Sequence, residues 1–341
     1  MIEALLAVQR EVQERHDRRQ KPVVRGQHPK QHGCVLAEWT VDPELPESLR
    51  HGIFRPARTF RALVRFSNAR VQDDRLPDVH GMAVKLLGVE GARLLDDGPE
   101  AKTQDFVLID HPVFFARDVA DLVPLMIDFR RLMLGSSARR ALTLLKGAVS
   151  PDRRFRILRA MLRKRPTSPL CIQYWTTTPF QLGTAAVKLT ARPEADEADS
   201  AGASGRDRLR SALASHLHER EARFQILVQT QRDPVRMPIE DATVRWNERE
   251  APYQKVATLR IPPQQVVPDA PDQLGEHLSF TPWHGLLEHR PLGGINRARR
   301  RIYEELSRRR RELNGLTARE PSEDEVQAIW RTSAANGATQ G

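Results

Sequence analysis

Residues able to do chemistry concentrate near the end of the chain, in the segment Asn-Arg-Ala-Arg-Arg-Arg-Ile-Tyr-Glu-Glu-Leu-Ser-Arg-Arg-Arg-Arg-Glu-Leu-Asn-Gly. The segment is typical of one helix, because Asn296 can cap its start and Gly315 can end it. At about 100° per residue, Ile302, Leu306 and Leu313 form an apolar stripe that should face the core.

Three polar residues, Arg299, Tyr303 and Arg310, fall inside this stripe against expectation. A phenol ordinarily titrates near pH ~10, and neighbouring positive charge favours its anion. A tyrosinate held by arginines is a hard anionic ligand for ferric iron and is one of the axial ligands that heme uses. The alternative is that Tyr303 packs in the core while the arginines extend to solvent or pair with carboxylates.

A second polar pair lies on a predicted strand, Phe60–Ser67. Strand side chains alternate between two faces, so Arg65 and Ser67 point the same way, together with Leu63. This face is therefore not a simple solvent face. The opposite face is apolar and should lie in the core, and it consists of Ala62, Val64 and Phe66.

Composition limits the classes of function. The 341 residues are 40% hydrophobic and can bury a sizeable core, yet no run of 18 apolar residues suggests a transmembrane helix. The acidic, amphipathic start lacks a signal-peptide pattern, and two cysteines form no disulfide framework, so we expect a cytoplasmic location. The net charge of +10 suits an anionic partner, but with only 6% aromatic residues and no nucleic-acid motif we expect no nucleic-acid binding.

Hydrophobic patterning predicts an α+β fold in which antiparallel strands form an eight-stranded barrel interrupted by helices. Predicted helices cover 2–18, 119–164 and 206–218 in addition to the last one. Predicted strands cover 34–41, 60–67, 79–87, 105–109, 171–177, 184–191, 223–229, 242–246 and 255–261. The predicted organisation is an N-terminal helical arm (1–19), a core (20–315) with a helical insertion (119–165) and a flexible loop (193–206), and a partly disordered tail (316–341).

Several blocks in the same order resemble the heme catalases, most closely the short catalase-related heme proteins that consist of the core alone. The resemblance covers roughly residues 20–313. The blocks are Arg-Gly-Gln-His-Pro-Lys at 25–30, Val-Arg-Phe-Ser at 64–67, Asp-His-Pro-Val-Phe-Phe-Ala-Arg-Asp at 110–118, 237–246, Leu-Ser-Phe-Thr-Pro-Trp at 278–283, and Arg-x-x-x-Tyr at 299–303.

The resemblance implies a role for each matched residue. His28 would be the distal histidine that accepts the peroxide proton, with Ser67 fixing its orientation. Tyr303 would be the proximal ligand of a ferric heme b, and Arg299 would keep it charged. Arg25, Arg65 and Arg310 would hold the heme propionates, and Phe115 would form part of the pocket wall.

Asp110 departs from the family pattern, which has a distal asparagine at the matching position. Asparagine can donate a hydrogen bond to bound peroxide, whereas an ionised aspartate only accepts. Asp110 could donate only if burial kept it protonated. Gln27 also replaces the aliphatic residue that normally precedes the distal histidine, which makes the pocket more polar.

The expected function is consumption of hydrogen peroxide or organic hydroperoxides, as a catalase or as a peroxidase with a small organic electron donor. Asp110 favours the peroxidase reaction. An alternative is conversion of fatty-acid hydroperoxides, as in the allene oxide synthases of this fold. A non-enzymatic protein on an anionic membrane surface is a second alternative, based on the basic helices at 119–164. Larger catalases are tetramers, so the resemblance leaves an oligomer open.

Overall fold

A closed antiparallel barrel forms the centre of the computed structural model, which describes residues 1–17, 23–95, 101–134, 150–194, 203–266, 278–317, 320–322 and 324–326. Its strands are β1 (Lys30–Val41), β2 (Thr59–Asn68), β3 (His80–Leu87), β4 (Thr103–Ile109), β5 (Tyr174–Trp175), β6 (Phe180–Leu182), β7 (Ala185–Pro193), β8 (Ala222–Thr230) and β9 (Gln254–Ile261). Neighbours follow the order β5-β4-β3-β2-β1-β9-β8-β7, and pairing of β5 with β7 closes an eight-stranded ring. The short strand β6 adds a hairpin to β7.

Alternation along the strands separates a core inside the barrel from a functional outer face. The inward residues of β2 are Ala62, Val64 and Phe66, which belong to the main apolar core, as their spacing predicts. Leu63 packs in a separate apolar cluster outside the barrel. Arg65 lies on the same outer face, and β2 pairs with β3 and β1 in an antiparallel register.

Within the described ranges, five helices accompany the barrel: α1 (Ile2–Asp17), α2 (Val119–Leu134), α3 (Arg153–Leu162), α4 (Arg208–Glu219) and α5 (Gly294–Asn314). The first three and α5 share an apolar cluster that includes Leu6, Leu122, Phe155 and Ile302. Apolar residues at helical spacing on all four helices are thereby removed from water, which supplies the driving force for their packing. None of the helices in the described ranges is both long enough and apolar enough to cross a membrane.

The helix α5 differs from its prediction at the start. It begins at Gly294, and Asn296 is buried inside the first turn instead of capping it. At the other end Gly315 adopts the left-handed conformation (φ 65°) and its N–H bonds the carbonyls of Arg311 and Glu312, as the sequence predicts. Leu313 was wrongly placed on the apolar stripe, since it is 49% exposed.

The strand predicted at Ala242–Trp246 is wrong, because this segment is an irregular part of the connection between β8 and β9. Its polar backbone groups bond to side chains and to the backbone of non-strand segments instead of a neighbouring strand. Asp241 accepts from the N–H of Thr243, and Lys188 donates to the carbonyl of Val244. Without this segment, eight predicted strands remain, and they correspond to the eight strands of the closed ring. The sequence did not predict β6.

Parts of the predicted domain organisation lie outside the described residues. These parts are 18–22 at the arm, 135–149 of the helical insertion, 195–202 of the predicted loop, and 318–319, 323 and 327–341 of the tail. Within the tail, Val326 is fully buried against the outer face of the barrel.

Candidate active site

His28 lies over the outer face of the barrel, where β2 and β3 present a small, polar surface. Its Nδ1 is 3.0 Å from the hydroxyl of Ser67 on β2. Gly81 on β3 lies directly beneath the ring, and a Cβ built there would be only 2.5 Å from His28 Nδ1. The histidine backbone has a φ of +53°, a conformation that non-glycine residues rarely adopt. Close packing thus fixes the position of the imidazole.

The surroundings of His28 keep its imidazole neutral. Burial, together with the positive charge of Arg65, lowers its pKa from 6.5 to about 3, although Asp110 opposes the shift. The hydroxyl of Ser67 can donate or accept, so it can support either neutral tautomer. His28 can therefore accept a proton at neutral pH.

Tyr303 on α5 faces the same space, because it contributes to the walls of both cavities that His28 borders. Within the described part of the chain, its side chain makes no hydrogen bond to protein. Arg299 lies one turn earlier on the helix and stacks over the Phe114 ring at 5.1 Å. Burial lowers the pKa of this guanidinium, and Tyr303 acts in the opposite direction.

The first cavity has a volume of about 390 Å³ and a strongly basic lining. Arg25 and Arg310 approach each other, since they donate to the same carbonyl, that of Leu278, at 2.8 and 3.1 Å. Arg65 is buried and donates to Gln31 Oε1 and to the carbonyl of His28. Two further arginines lie on its walls, Arg300 and Arg311. The cavity is suited to the carboxylates of a ligand.

The second cavity is larger, about 630 Å³, and mostly apolar. It lies between the barrel and the helices α1, α2, α3 and α5. Phe114 and Phe115 form part of its wall, and their rings stack with centroids 4.2 Å apart. Gln27 borders both cavities, together with His28 and Tyr303. The two spaces therefore meet between a histidine and a tyrosine.

These residues fit a heme. A tyrosine without a protein hydrogen-bond partner borders the shared space, as an axial ligand requires. Arginines line one side, where propionates would need positive charge, and apolar and aromatic residues line the other. Tyr303 would hold the iron, Arg25, Arg65 and Arg310 the propionates, and Phe115 would border the apolar edge.

Asp110 is placed differently from the other predicted site residues. It is fully buried, does not belong to the described walls of either cavity, and its Oδ2 lies 2.8 Å from Nδ1 of His80. It nevertheless acts electrostatically on His28. The structure brings all eight other predicted residues to the cavity walls, namely His28, Ser67, Arg25, Arg65, Phe115, Arg299, Arg310 and Tyr303.

Sequence reasoning missed two contributors to the site. Gly81 allows the close approach of His28, and a glycine inside a predicted strand is a recognised sign of such an approach. Gln31 accepts from Arg65, but it precedes the strand predicted at 34–41, whereas β1 already begins at Lys30.

A cluster beside the basic cavity, to whose wall His284 contributes, has groups that could ligate a metal, namely Asp105, His284 and Glu320. The ammonium of Lys85 lies among them, 2.8 Å from Asp105 Oδ1 and hydrogen bonded to Glu320. A lysine thus supplies the positive charge that the two carboxylates require, and the cluster is better described as a buried ion-pair network.

Solved structures of catalases resemble the chain closely in fold. A fungal catalase matches 88% of this chain with a TM-score of 0.67 at 16% identity, and catalase A from Saccharomyces cerevisiae matches 87% with the same TM-score and identity. A bacterial catalase matches 91% of this chain with a TM-score of 0.63 at 17% identity.

These matches span 63% to 64% of the length of the three catalases. No protein-family model matches the sequence. No curated protein matches it either. The likeness is therefore one of fold, and it extends over 87% to 91% of this chain. The chain has the fold of the catalases.

Proposed function

We propose that the protein is a heme-dependent oxidoreductase that consumes peroxides. The observation that carries this proposal is the placement of His28 and Tyr303 on the walls of the same two adjoining cavities. A proton acceptor and a candidate iron ligand then face one space, with positive charge along one side of it. The catalase fold supports the proposal but does not by itself assign an activity.

In this proposal the protein holds the cofactor through opposite charges. Tyr303, as tyrosinate, ligates the iron, and Arg299 stabilises the negative charge of the phenolate. Arg25, Arg65 and Arg310 neutralise the propionates by charge-assisted hydrogen bonds. When bound there, ferric heme b supplies the redox chemistry that cleaves the peroxide O–O bond.

His28 moves the proton. As a neutral base it accepts the proton from one peroxide oxygen and returns it to the other, which leaves as water or as an alcohol. Ser67 bonds Nδ1 and thereby orients the ring. Because the pKa of His28 lies at about 3, this step should not depend on pH through the neutral range.

The electrons come from a second peroxide in dismutation or from an organic donor in the peroxidase reaction. We favour the peroxidase reaction, because the carboxyl group of Asp110 lacks the amide N–H that an asparagine could offer to bound peroxide. The protein is proposed to act in the cytoplasm, since two cysteines in 341 residues provide no disulfide framework.

The test is the visible absorption spectrum of the protein purified with heme added, compared with Tyr303→Phe. A tyrosinate-type spectrum that changes in Tyr303→Phe supports the proposal, and peroxide assays with and without donors then separate the reactions. Tyr253→Phe is the matched control, because Tyr253 borders neither cavity in the described structure. A protein that takes up no heme would refute the proposal.

A second candidate function, conversion of fatty-acid hydroperoxides, is favoured by the apolar cavity beside His28. Its volume of about 630 Å³ is within the range of ligand pockets and could accommodate an apolar tail. Faster turnover of long-chain hydroperoxides than of hydrogen peroxide, with a rearranged product and no donor requirement, would select this function. Equal rates for both substrates would argue against it.

The structure offers less support for a non-enzymatic membrane-surface protein. The apolar residues Leu122 and Leu125 of α2 and Phe155 of α3 pack against α1 and α5 and are not presented to solvent. Flotation with anionic vesicles at two salt concentrations tests this function, since electrostatic binding should weaken as salt rises.

A further inference from the structure

Arg299 is a half-buried cation on the wall of the apolar cavity, and its hydrogen-bond partners are neutral. Its Nη1 donates to the hydroxyl of Thr178 at 3.0 Å and lies 3.4 Å from Oδ1 of Asn296. In the described part of the chain, no carboxylate forms an ion pair with it. A buried guanidinium usually requires a carboxylate, because an uncompensated charge in a protein interior is costly.

The amide of Asn296 is held in one orientation. Its Nδ2 donates to the carbonyls of Pro179 and Leu292, at 3.0 and 2.8 Å. With both amide hydrogens used, Oδ1 is the only atom left to face Thr178 and Arg299. The indole of Trp283 also donates to the backbone carbonyl of Asn296, at 2.8 Å.

The hydroxyl of Thr178 links the amide to the guanidinium. Its oxygen lies 3.0 Å from Oδ1 of Asn296 and 3.2 Å from the carbonyl oxygen of Thr176, so its single proton can be donated to the nearer amide oxygen while the hydroxyl accepts from Arg299. Thr178 lies in the connection between β5 and β6, next to Thr177, whose φ is +56°. This strained backbone, like the buried Asn296, indicates that the surrounding structure fixes the position of the hydroxyl.

We propose that Thr178 and Asn296 form a neutral clamp that positions Arg299 and leaves its charge available to the phenolate of Tyr303. The inference deepens the proposed function and rests on it for its biological meaning. Thr178 and Asn296 are positioning residues, since they act on Tyr303 only through Arg299. A carboxylate in their place would pair with Arg299 and compete with Tyr303 for its charge.

Few other groups could take over this role. On the described walls of the two cavities the charged side chains are arginines, with the exceptions of Asp128 on α2 and Glu304 on α5. His28 and His284 are the titratable histidines there. Neither carboxylate forms an ion pair with Arg299 among the described residues, so removal or replacement of the clamp should act on Tyr303 through Arg299.

The experiment is a spectrophotometric titration of tyrosine ionisation in the protein without heme. The chain has three tyrosines. Burial raises the pKa of both Tyr174 and Tyr253, so these two titrate above the ordinary pH for a tyrosine. Subtraction of the Tyr303→Phe titration isolates Tyr303. Far-ultraviolet circular dichroism at each pH confirms that the variant is folded.

We expect Thr178→Asp to weaken the acidity of Tyr303 by about tenfold, because the new carboxylate competes for Arg299. Thr178→Ser should titrate like the original protein, and Thr178→Val should fall between the two. Thr59→Asp, at an exposed position, controls for the added charge.

Identical titration of the Ser, Val and Asp variants at position 178 would overturn the proposal. If Thr178→Asp does not fold, a difference between Thr178→Ser and Thr178→Val still supports the clamp, and their equality refutes it. Since no heme is present, failure of this test is distinct from failure of heme binding, which the spectrum of the heme-loaded protein reports separately.

Discussion

Asp110 and His80 form a buried pair beside the distal side of the candidate heme site, with Oδ2 2.8 Å from Nδ1. The same two residues are joined through the backbone, because the N–H of Asp110 donates to the carbonyl of His80 at 3.0 Å. The other carboxylate oxygen, Oδ1, is buried without a hydrogen-bond partner among the described residues. Asp110 is therefore held by one oxygen only.

Replacing this carboxylate with an amide should favour dismutation. Asp110→Asn keeps the shape of the side chain and can still accept from His80, while its amide supplies a donor in place of Oδ1. We expect oxygen evolution from hydrogen peroxide to rise about fivefold, the effect of one added hydrogen bond. The measurement is oxygen evolution by the heme-loaded protein, with Asp73→Asn as control, because the half-buried Asp73 borders neither cavity in the described structure. Unchanged evolution would show that Asp110 only supports His80.

Gly81 should be indispensable for the position of His28. In Gly81→Ala the new methyl group would lie 2.5 Å from the imidazole and 3.0 Å from the Ser67 hydroxyl, so the ring must move. We expect the peroxide-consuming rate to fall by about tenfold to a hundredfold with little loss of heme, because the proton acceptor is misplaced.

Gly294→Ala is the control for this glycine substitution, because the tightest contact of the added methyl group, at 3.2 Å, is with the flexible end of Glu240. Heme absorbance and peroxide consumption are measured on both variants. A Gly81→Ala protein with full activity would mean that the imidazole is not confined as the structure indicates.

The barrel could be predicted because its strands alternate regularly: Ala62, Val64 and Phe66 face the core, and Arg65 shares the opposite face with Ser67. Local patterns failed where long-range contacts decide the conformation. Trp246 is buried in a segment whose sequence is typical of a strand. The side chains of Lys188 and Asp241, and not a neighbouring strand, bond the backbone of this segment.

Contacts between distant segments also explain what the sequence could not show at the site. Asn296 resembles a helix cap by its position, but its amide hydrogens bond Pro179 and Leu292 instead. The partner of Arg299, Thr178, is 121 positions away in the chain. The pairing of Asp110 with His80 likewise depends on the register between β3 and β4, which no local pattern specifies.

Stability should fall on acidification because His28 is buried in its neutral form. Its pKa in the folded protein is about 3, below the ordinary value of 6.5, so the unfolded chain binds more protons between these values. The free energy of unfolding should therefore decrease as pH falls from about 6.5, by up to about 1.4 kcal/mol per pH unit from this residue.

Denaturant unfolding at ~pH 7 and ~pH 5 measures this dependence. His28→Gln should flatten the profile, whereas His218→Gln, at an exposed position, should leave it unchanged. Burial also lowers the pKa of His32 and His289, to about 4 each, so some dependence on pH should persist in His28→Gln. Equal slopes for the original protein and His28→Gln would contradict the neutral, buried state of His28.

Arg310 should contribute to heme affinity through its charge. It is 2% exposed, borders the basic cavity and donates to the carbonyl of Leu278 at 3.1 Å. Arg310→Gln should weaken heme binding by about tenfold or more, because a propionate would lose a charge-assisted hydrogen bond. Heme titration followed by absorbance measures the affinity. Arg301→Gln, on the solvent side of the same helix, should bind heme normally; equal losses in both variants would indicate a general effect on α5.

Lys85 should be essential for stability, although it takes no part in the proposed chemistry. Burial alone would lower its pKa, but Asp105 and Glu320 raise it, so the lysine stays charged between two carboxylates. Lys85→Met would leave Asp105 buried without a compensating charge, and the free energy of unfolding should fall by about 3–5 kcal/mol. The exposed pair of Lys102 with Glu90 provides the control, since Lys102→Met removes a charge that solvent already screens. Denaturant unfolding compares the two variants. Similar stabilities of the two variants would mean that a metal ion or a protonated carboxylate replaces the charge of the lysine. Added divalent metal distinguishes these cases, since it would restore the stability of Lys85→Met only if a metal ion takes the place of the lysine.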